Sequence, residues 1–170
     1  MAKPRPPAAA KAAVKNMGLL QPIEKWLLQR IHQYKYQHIF LGNVNLKKKA
    51  GTGFHHRYQG KNPPTARVAR DPKTGKELKL PPDKNGAYKS RVDVQDENGK
   101  WYKKKAWSSF FPDHWTPQEV DRAINHAFKN SKPDPMNPNK WVGVYNGMKI
   151  EGFYSGPSKG DWVSAWPVVK

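Results

Sequence analysis

Apolar positions along the chain fall into blocks with different periods. Leu20, Ile23, Leu27, Ile31 and Tyr34 recur at steps of three and four, the spacing of one helical face, and predict a helix from Leu19 to about Tyr34. Pro22 falls in its first turn, where a missing N–H leaves no bond unmade. Arg30, His32, Gln33 and Lys35 fall off the stripe and are expected in solvent. Ile39-Phe40-Leu41 reads as a short buried strand beginning at His38, turned by Gly42-Asn43. Thr65 to Arg70 reads as a second strand, and 71–85, rich in Pro, Lys and Asp, as a long surface loop. Tyr88, Val92 and Val94 alternate with Lys89, Arg91, Asp93 and Gln95; Asn98-Gly99 then predicts a hairpin returning through 100–111. Thr116-Pro117-Gln118-Glu119 is a capping box opening a helix to about Asn130, with Val120, Ala123, Ile124, Ala127 and Phe128 on its buried face and His126 off it. Asn146-Gly147 predicts a hairpin between 141–145 and 148–154, and 161–169 reads as a last strand, with Pro167 at an edge or strand end. The sum is an α+β fold: an N-terminal helix packed on antiparallel sheets, with one further helix in the C-terminal half.

Residues 1–17 are different in kind. Proline and alanine dominate, with scattered lysine and arginine, so the segment reads as a basic linker ahead of a single domain over 18–170. A short Ala-rich helix from Ala8 to Lys15 is possible there, with little to bury. No apolar run approaches the ~20 residues of a membrane span, and no Leu-rich core of a secretory signal follows Lys3 and Arg5.

Charge changes the picture most. Thirty-one Lys and Arg against 13 Asp and Glu give a formal net charge of +18, which predicts a polyanionic partner. Seven Trp set the chain apart from a disordered basic tail. The absence of cysteine excludes a disulfide, a thiolate zinc site and a cysteine nucleophile. No H-E-x-x-H, phosphate-binding loop or dinucleotide fingerprint is present, and the acidic residues are not grouped to hold Mg²⁺.

The stretch from Gln37 to Arg57 concentrates the candidate chemistry. His38 precedes a Lys47-Lys48-Lys49 loop and a Gly51-Thr52-Gly53 hinge, and His55 and His56 follow. Two imidazoles on either side of a basic loop can divide proton acceptance and donation between them, and the lysine run suits phosphate. With excess positive charge and no acidic cluster, the residues favour metal-free cleavage of RNA, in which the ribose 2′-OH is the nucleophile. A non-catalytic RNA-binding module and a metal-dependent H-N-H-type DNase, suggested by the tandem His55-His56, are the alternatives.

Four motifs resemble the EndoU endoribonucleases in their bacterial toxin form. Residues 37–42 (Q-H-I-F-L-G) are similar to the family's E-H-x-F-x-G around its first catalytic histidine, and 52–56 (T-G-F-H-H) resemble its G-F-H around the second. Residues 104–112 (K-K-A-W-S-S-F-F-P) are similar to the segment carrying the catalytic lysine, and 164–167 (S-A-W-P) to a Thr-x-Tyr-Pro that helps bind base and phosphate. The motifs occur in the family's order. The resemblance implies that His38 and His55 share the base and acid roles in one order or the other. Lys104 or Lys105 would stabilise the transition state, and Ser164 and Trp166 would contact the nucleotide. Ser164 keeps the hydroxyl of the usual Thr; Trp166 keeps the stacking of the usual Tyr and loses its phenol. His56 is the neighbouring choice to His55, and His56, Arg57 and Lys61 are further candidates for substrate contact. Implied with these are a 2′,3′-cyclic phosphate product and no resident cofactor, with Mn²⁺ stimulation allowed. A role as the toxin module of a system for competition between bacteria follows, acting in a target-cell cytoplasm and held in check by an acidic immunity protein.

Overall fold

The computed structural model, which describes residues 2–170, begins with a helix where a tether is expected. Helix α1 (Pro7–Lys15) has proline in its first turn and alanine, the best helix former, at five of its nine positions. Ala10, Ala13 and Val14 are buried at i, i+3 and i+4, and α1 packs against α2 (Gln21–Leu28). Ahead of α1, Arg5 is buried: its backbone N–H donates to Gln37 Oε1 (2.8 Å) and its guanidinium to the carbonyls of Gly42 (3.2 Å) and Gln95 (2.6 Å). The expected linker is thus folded onto the body of the protein; small side chains that bury little alone bury fully when a helix closes over them.

The helix expected over 19–34 is broken. α2 ends at Leu28, a turn follows, and α3 (Tyr34–Phe40) begins. Ile31 is still buried, but from the turn. His38 lies in α3 and not at the start of a strand. Tyr36, Ile39 and Phe40 are buried at helical spacing, and a short apolar run does not separate a buried helix from a buried strand. Gly42, at φ +72°, ends α3 by donating to the Gln37 carbonyl (2.8 Å).

The strands follow as β1 (Asn43–Asn45), β2 (Ala50–Thr52), β3 (Ala66–Val68), β4 (Tyr88–Ser90), β5 (Val92–Gln95), β6 (Trp101–Lys103) and β7 (Ser108–Phe110). After α4 (Pro117–Lys129) come β8 (Lys132–Asp134), β9 (Asn137–Tyr145), β10 (Met148–Phe153) and β11 (Trp166–Pro167). The pairing of named strands is antiparallel throughout, in four sheets: β1-β2, β3-β5-β6, β4-β7 and β11-β10-β9-β8. The fold is α+β. The capping box at Thr116 and Glu119 is formed, and Asn146-Gly147 makes a two-residue turn with φ +46° and +79°. At the other hairpin, the Asp96 carboxylate accepts from the N–H groups of Asn98 and Lys100.

Three long strands expected from the sequence are shorter or split. Residues 87–95 keep one alternating pattern but change partners, β4 joining β7 while β5 joins β3 and β6. Residues 104–107 leave β6 before the chain re-enters as β7. Of 161–169 only Trp166-Pro167 forms a strand, at the sheet edge, where Pro167 needs no donor, while Trp162 makes an isolated bridge to Tyr154. β8, also at an edge, contains Pro133 and is a strand that the proline-rich sequence reads as a break.

Two hydrophobic clusters result. The larger joins the helices to β9 and β10 through residues such as Leu27, Phe40, Ile124, Trp141 and Trp162. The smaller holds Val44, Phe54, Val68, Tyr88, Val94 and Phe110. Phe110 belongs to one and Phe111 to the other, so the chain crosses between them beside the site described below. No helix among the described residues is long and apolar enough to cross a membrane.

Val14→Ala tests the status of α1. A tether would tolerate it, whereas removal of two buried methyl groups from a closed core should cost about 1–3 kcal/mol in urea unfolding.

Candidate active site

The site starts from a left-handed corner. Gly53 (φ +78°) and Phe54 (φ +68°) are consecutive residues in the region that L side chains avoid. The corner lets the N–H of Phe54 donate to the His38 carbonyl (2.7 Å) and that of His55 to the Ile39 carbonyl (2.8 Å). A Cβ on Gly53 would collide with the His38 carbonyl and lie 3.0 Å from His38 Nδ1, so only glycine fits. Phe54 accepts the strained backbone because its ring is fully buried, edge-on to Phe110 at 5.0 Å.

This docking brings the rings of His38 and His55 to a centroid separation of 5.4 Å. His55 Nδ1 lies 2.8 Å from the Ser109 carbonyl; a carbonyl only accepts, so Nδ1 holds the proton and Nε2 keeps the lone pair. His38 stacks on Tyr34 (5.8 Å), one helical turn away in α3, and its Nδ1 is buried with no partner among the described residues. The excursion after β6 delivers Lys104, whose ammonium donates to the Gly53 carbonyl (3.1 Å) and to Ser108 Oγ (3.0 Å). Ser108 Oγ in turn donates to the Phe54 carbonyl (2.7 Å).

Burial and like charge act together on these groups. Burial, and then the nearby Lys104 charge, lower His38 to about 3 and hold His55 well below the usual histidine range. Burial lowers Lys104 to about 8. At neutral pH the site therefore presents two neutral imidazoles over an ammonium.

A cleft of about 690 Å³ opens over these residues. Trp166 walls it, its ring 5.9 Å from that of His55 and tilted 31°, with Nε1 donating to Glu151 (3.1 Å). Ser164, which also lines the cleft, accepts at Oγ from the Phe153 N–H (3.1 Å). Lys48, Lys105 and Trp107 line the rim, and no Asp or Glu is among the described lining residues.

Of the candidates, His38, His55, Lys104, Lys105, Ser164 and Trp166 are brought together; His56, Arg57 and Lys61 are not. Along the extended backbone after the corner, successive side chains point opposite ways. His56 is buried on the far side, Nε2 against the Trp115 carbonyl (2.8 Å) and its ring edge-on to Phe40. Arg57 is buried in a pair with Glu77 (2.9 Å) and bonds to Asn62 and Tyr88. Lys61 is exposed outside the cleft. The tandem histidines thus do not form one pair of ligands. Tyr34, Ser108 and Ser109 join the site from outside the sequence candidates; the spacing of Tyr34 and His38 signals contact once that segment is read as helix.

A family model described as bacterial EndoU nuclease matches residues 32–169. The chain belongs to that family. No curated protein and no solved structure matches it. Membership makes the protein a nuclease of the endoribonuclease type, and the match begins just before α3, so it takes in the paired histidines, the lysine excursion and the Trp166 wall together.

The three buried histidines predict acid sensitivity. His38, His55 and His56 all lie below the ordinary 6.5 in the fold, His56 at about 4 through burial. As pH falls below 6.5 the unfolded chain binds protons that the folded one refuses, so stability present above that pH is lost toward pH 4. Each histidine contributes a slope of about 1.4 kcal/mol per pH unit. Urea midpoints should fall steeply from pH 7 to pH 5, and His56→Gln, which keeps a donor for Trp115, should remove one proton's share of the slope. A midpoint independent of pH would contradict this burial.

Proposed function

We propose that this EndoU-family protein cleaves RNA by attack of the ribose 2′-OH on the adjacent phosphorus, with no resident metal. The P–O5′ bond breaks, leaving a 2′,3′-cyclic phosphate on one fragment and a 5′-OH on the other. The carrying observation is the 5.4 Å approach of His38 and His55 beside the Lys104 ammonium. His55, with Nδ1–H held by Ser109, takes the 2′-OH proton at Nε2. His38 is the acid for the leaving 5′-oxygen. Held neutral by burial and the Lys104 charge, it gains a proton when the phosphate's negative charge enters and offsets that of Lys104. Lys104 stabilises the charge that builds on the phosphorane, and Lys105 on the rim adds to the attraction. Trp166 stacks on a base and Ser164 donates to the nucleotide. A lining with no carboxylate among its described residues supports this division of labour, with Mn²⁺ a stimulant and not a requirement.

In its biological setting we read the protein as the toxin module of a system for competition between bacteria, delivered into a target cell and acting in its cytoplasm. A net charge of +18 suits restraint by an acidic immunity protein, which would cover the same cleft.

RNA cutting should resist EDTA and leave cyclic phosphate ends, and DNA should remain intact. His38→Ala and His55→Ala should each lower kcat by about 10²–10⁴-fold with unchanged circular dichroism. Metal-dependent cutting of DNA would overturn the reading. Because Lys104 loses its charge above about 8, activity should fall as pH rises through that value; Lys104→Arg, charged throughout, should retain activity while moving the alkaline limb upward. An unmoved limb would remove Lys104 from the reaction.

A further inference from the structure

A second groove, of about 900 Å³, adjoins the cleft. Six cationic side chains line it, Arg67, Arg70, Arg91, Lys103, Lys104 and Lys105, against Asp93 as the one carboxylate among its described lining residues. Lys104 and Lys105 line both cavities, so the two are joined through the site's own cations. At the junction the Arg91 guanidinium sits 4.7 Å from the centroid of the Trp107 ring; Arg91 belongs to the groove and Trp107 to the cleft rim. Trp107 is among the few exposed large hydrophobic residues. Farther along, Arg67 stacks on Trp101 at 3.9 Å and pairs with Asp93, which holds its planar cation in place at the surface.

We propose that this groove is an extended binding track for the RNA strand flanking the scissile phosphate. The inference rests on the ribonuclease reading of the cleft. A cleft of 690 Å³ holds a ligand of small-molecule size, so a longer strand must leave it. The adjoining surface with matching charge is the one that shares Lys104 and Lys105. Cations spaced along a groove contact successive phosphates without reading sequence, and the Arg91-Trp107 pair offers a face on which a base stacks as the strand turns out of the cleft. The preferred substrate class is therefore single-stranded RNA several nucleotides long, not a dinucleotide, with the gain in the extra length coming from binding.

Arg70 and Lys103 test the track, since both are exposed and neither touches the reacting groups. The double variant Arg70→Ala/Lys103→Ala is compared with the wild type on a dinucleotide and on a 12-nucleotide RNA. The 12-mer KM should rise about tenfold with kcat unchanged, and its salt dependence should flatten by roughly 0.7 per lost phosphate contact. The dinucleotide parameters should not move. Equal effects on both substrates, or none on the 12-mer, would overturn the track; the second outcome would leave the groove's charge to a different anionic partner. The 12-mer affinity of His55→Ala is measured with and without the double substitution. If the wild type cuts neither RNA, the ribonuclease reading fails, and this binding comparison still decides whether the groove holds the strand.

Discussion

Two backbone hydrogen bonds organise this protein: Phe54 N–H to the His38 carbonyl, and His55 N–H to the Ile39 carbonyl. They fasten the corner after β2 to the end of α3 and leave no room for a side chain at Gly53. The corner is an unfavourable conformation for Phe54, and it persists because the Phe54 ring fills the smaller core while Phe40, on α3, fills the larger. Each histidine thus hangs from an element anchored in a different core, and their separation is set by packing on both sides.

The same anchoring explains the electrostatics. Backbone carbonyls hold three of the donors at the site: Ser109 holds His55, Gly53 holds Lys104, and Phe54 holds Ser108. With no carboxylate among the described lining residues, burial and Lys104 drive both imidazoles toward neutrality, and Lys104 itself is driven down. Under the mechanism proposed above, a phosphate entering the cleft would offset that like charge.

The contrast between His55 and His56 shows how finely position decides role. Adjacent in the chain and identical in chemistry, one lines the cleft and the other braces Trp115 and Phe40 from within. Arg57 likewise spends its charge on Glu77 and the structure around it. The cations that line the adjoining groove come instead from β3 (Arg67) and β6 (Lys103), from Arg70 after β3 and Arg91 just before β5, and from Lys104 and Lys105 in the turn after β6.

Local rules were legible in the sequence wherever one short segment satisfied them. The capping box at Thr116, the Asn146-Gly147 turn and the alternation through Val92 and Val94 each depend on residues a few positions apart. Their energies do not wait for the rest of the chain. Of the hinge expected at Gly51-Thr52-Gly53 only Gly53 turns the chain, since Gly51 and Thr52 lie in β2, while the four motifs together identified the family. Tertiary structure alone decided what long-range packing controls. Ala10, Ala13 and Val14 became core when α1 closed on α2, and Ile39-Phe40 became helix when α3 was docked beneath Gly53. The strand through 100–111 broke so that Lys104 reached the histidines. In each case the sequence permits two states of similar local energy, and burial against a distant partner, invisible in any window of neighbours, selects one.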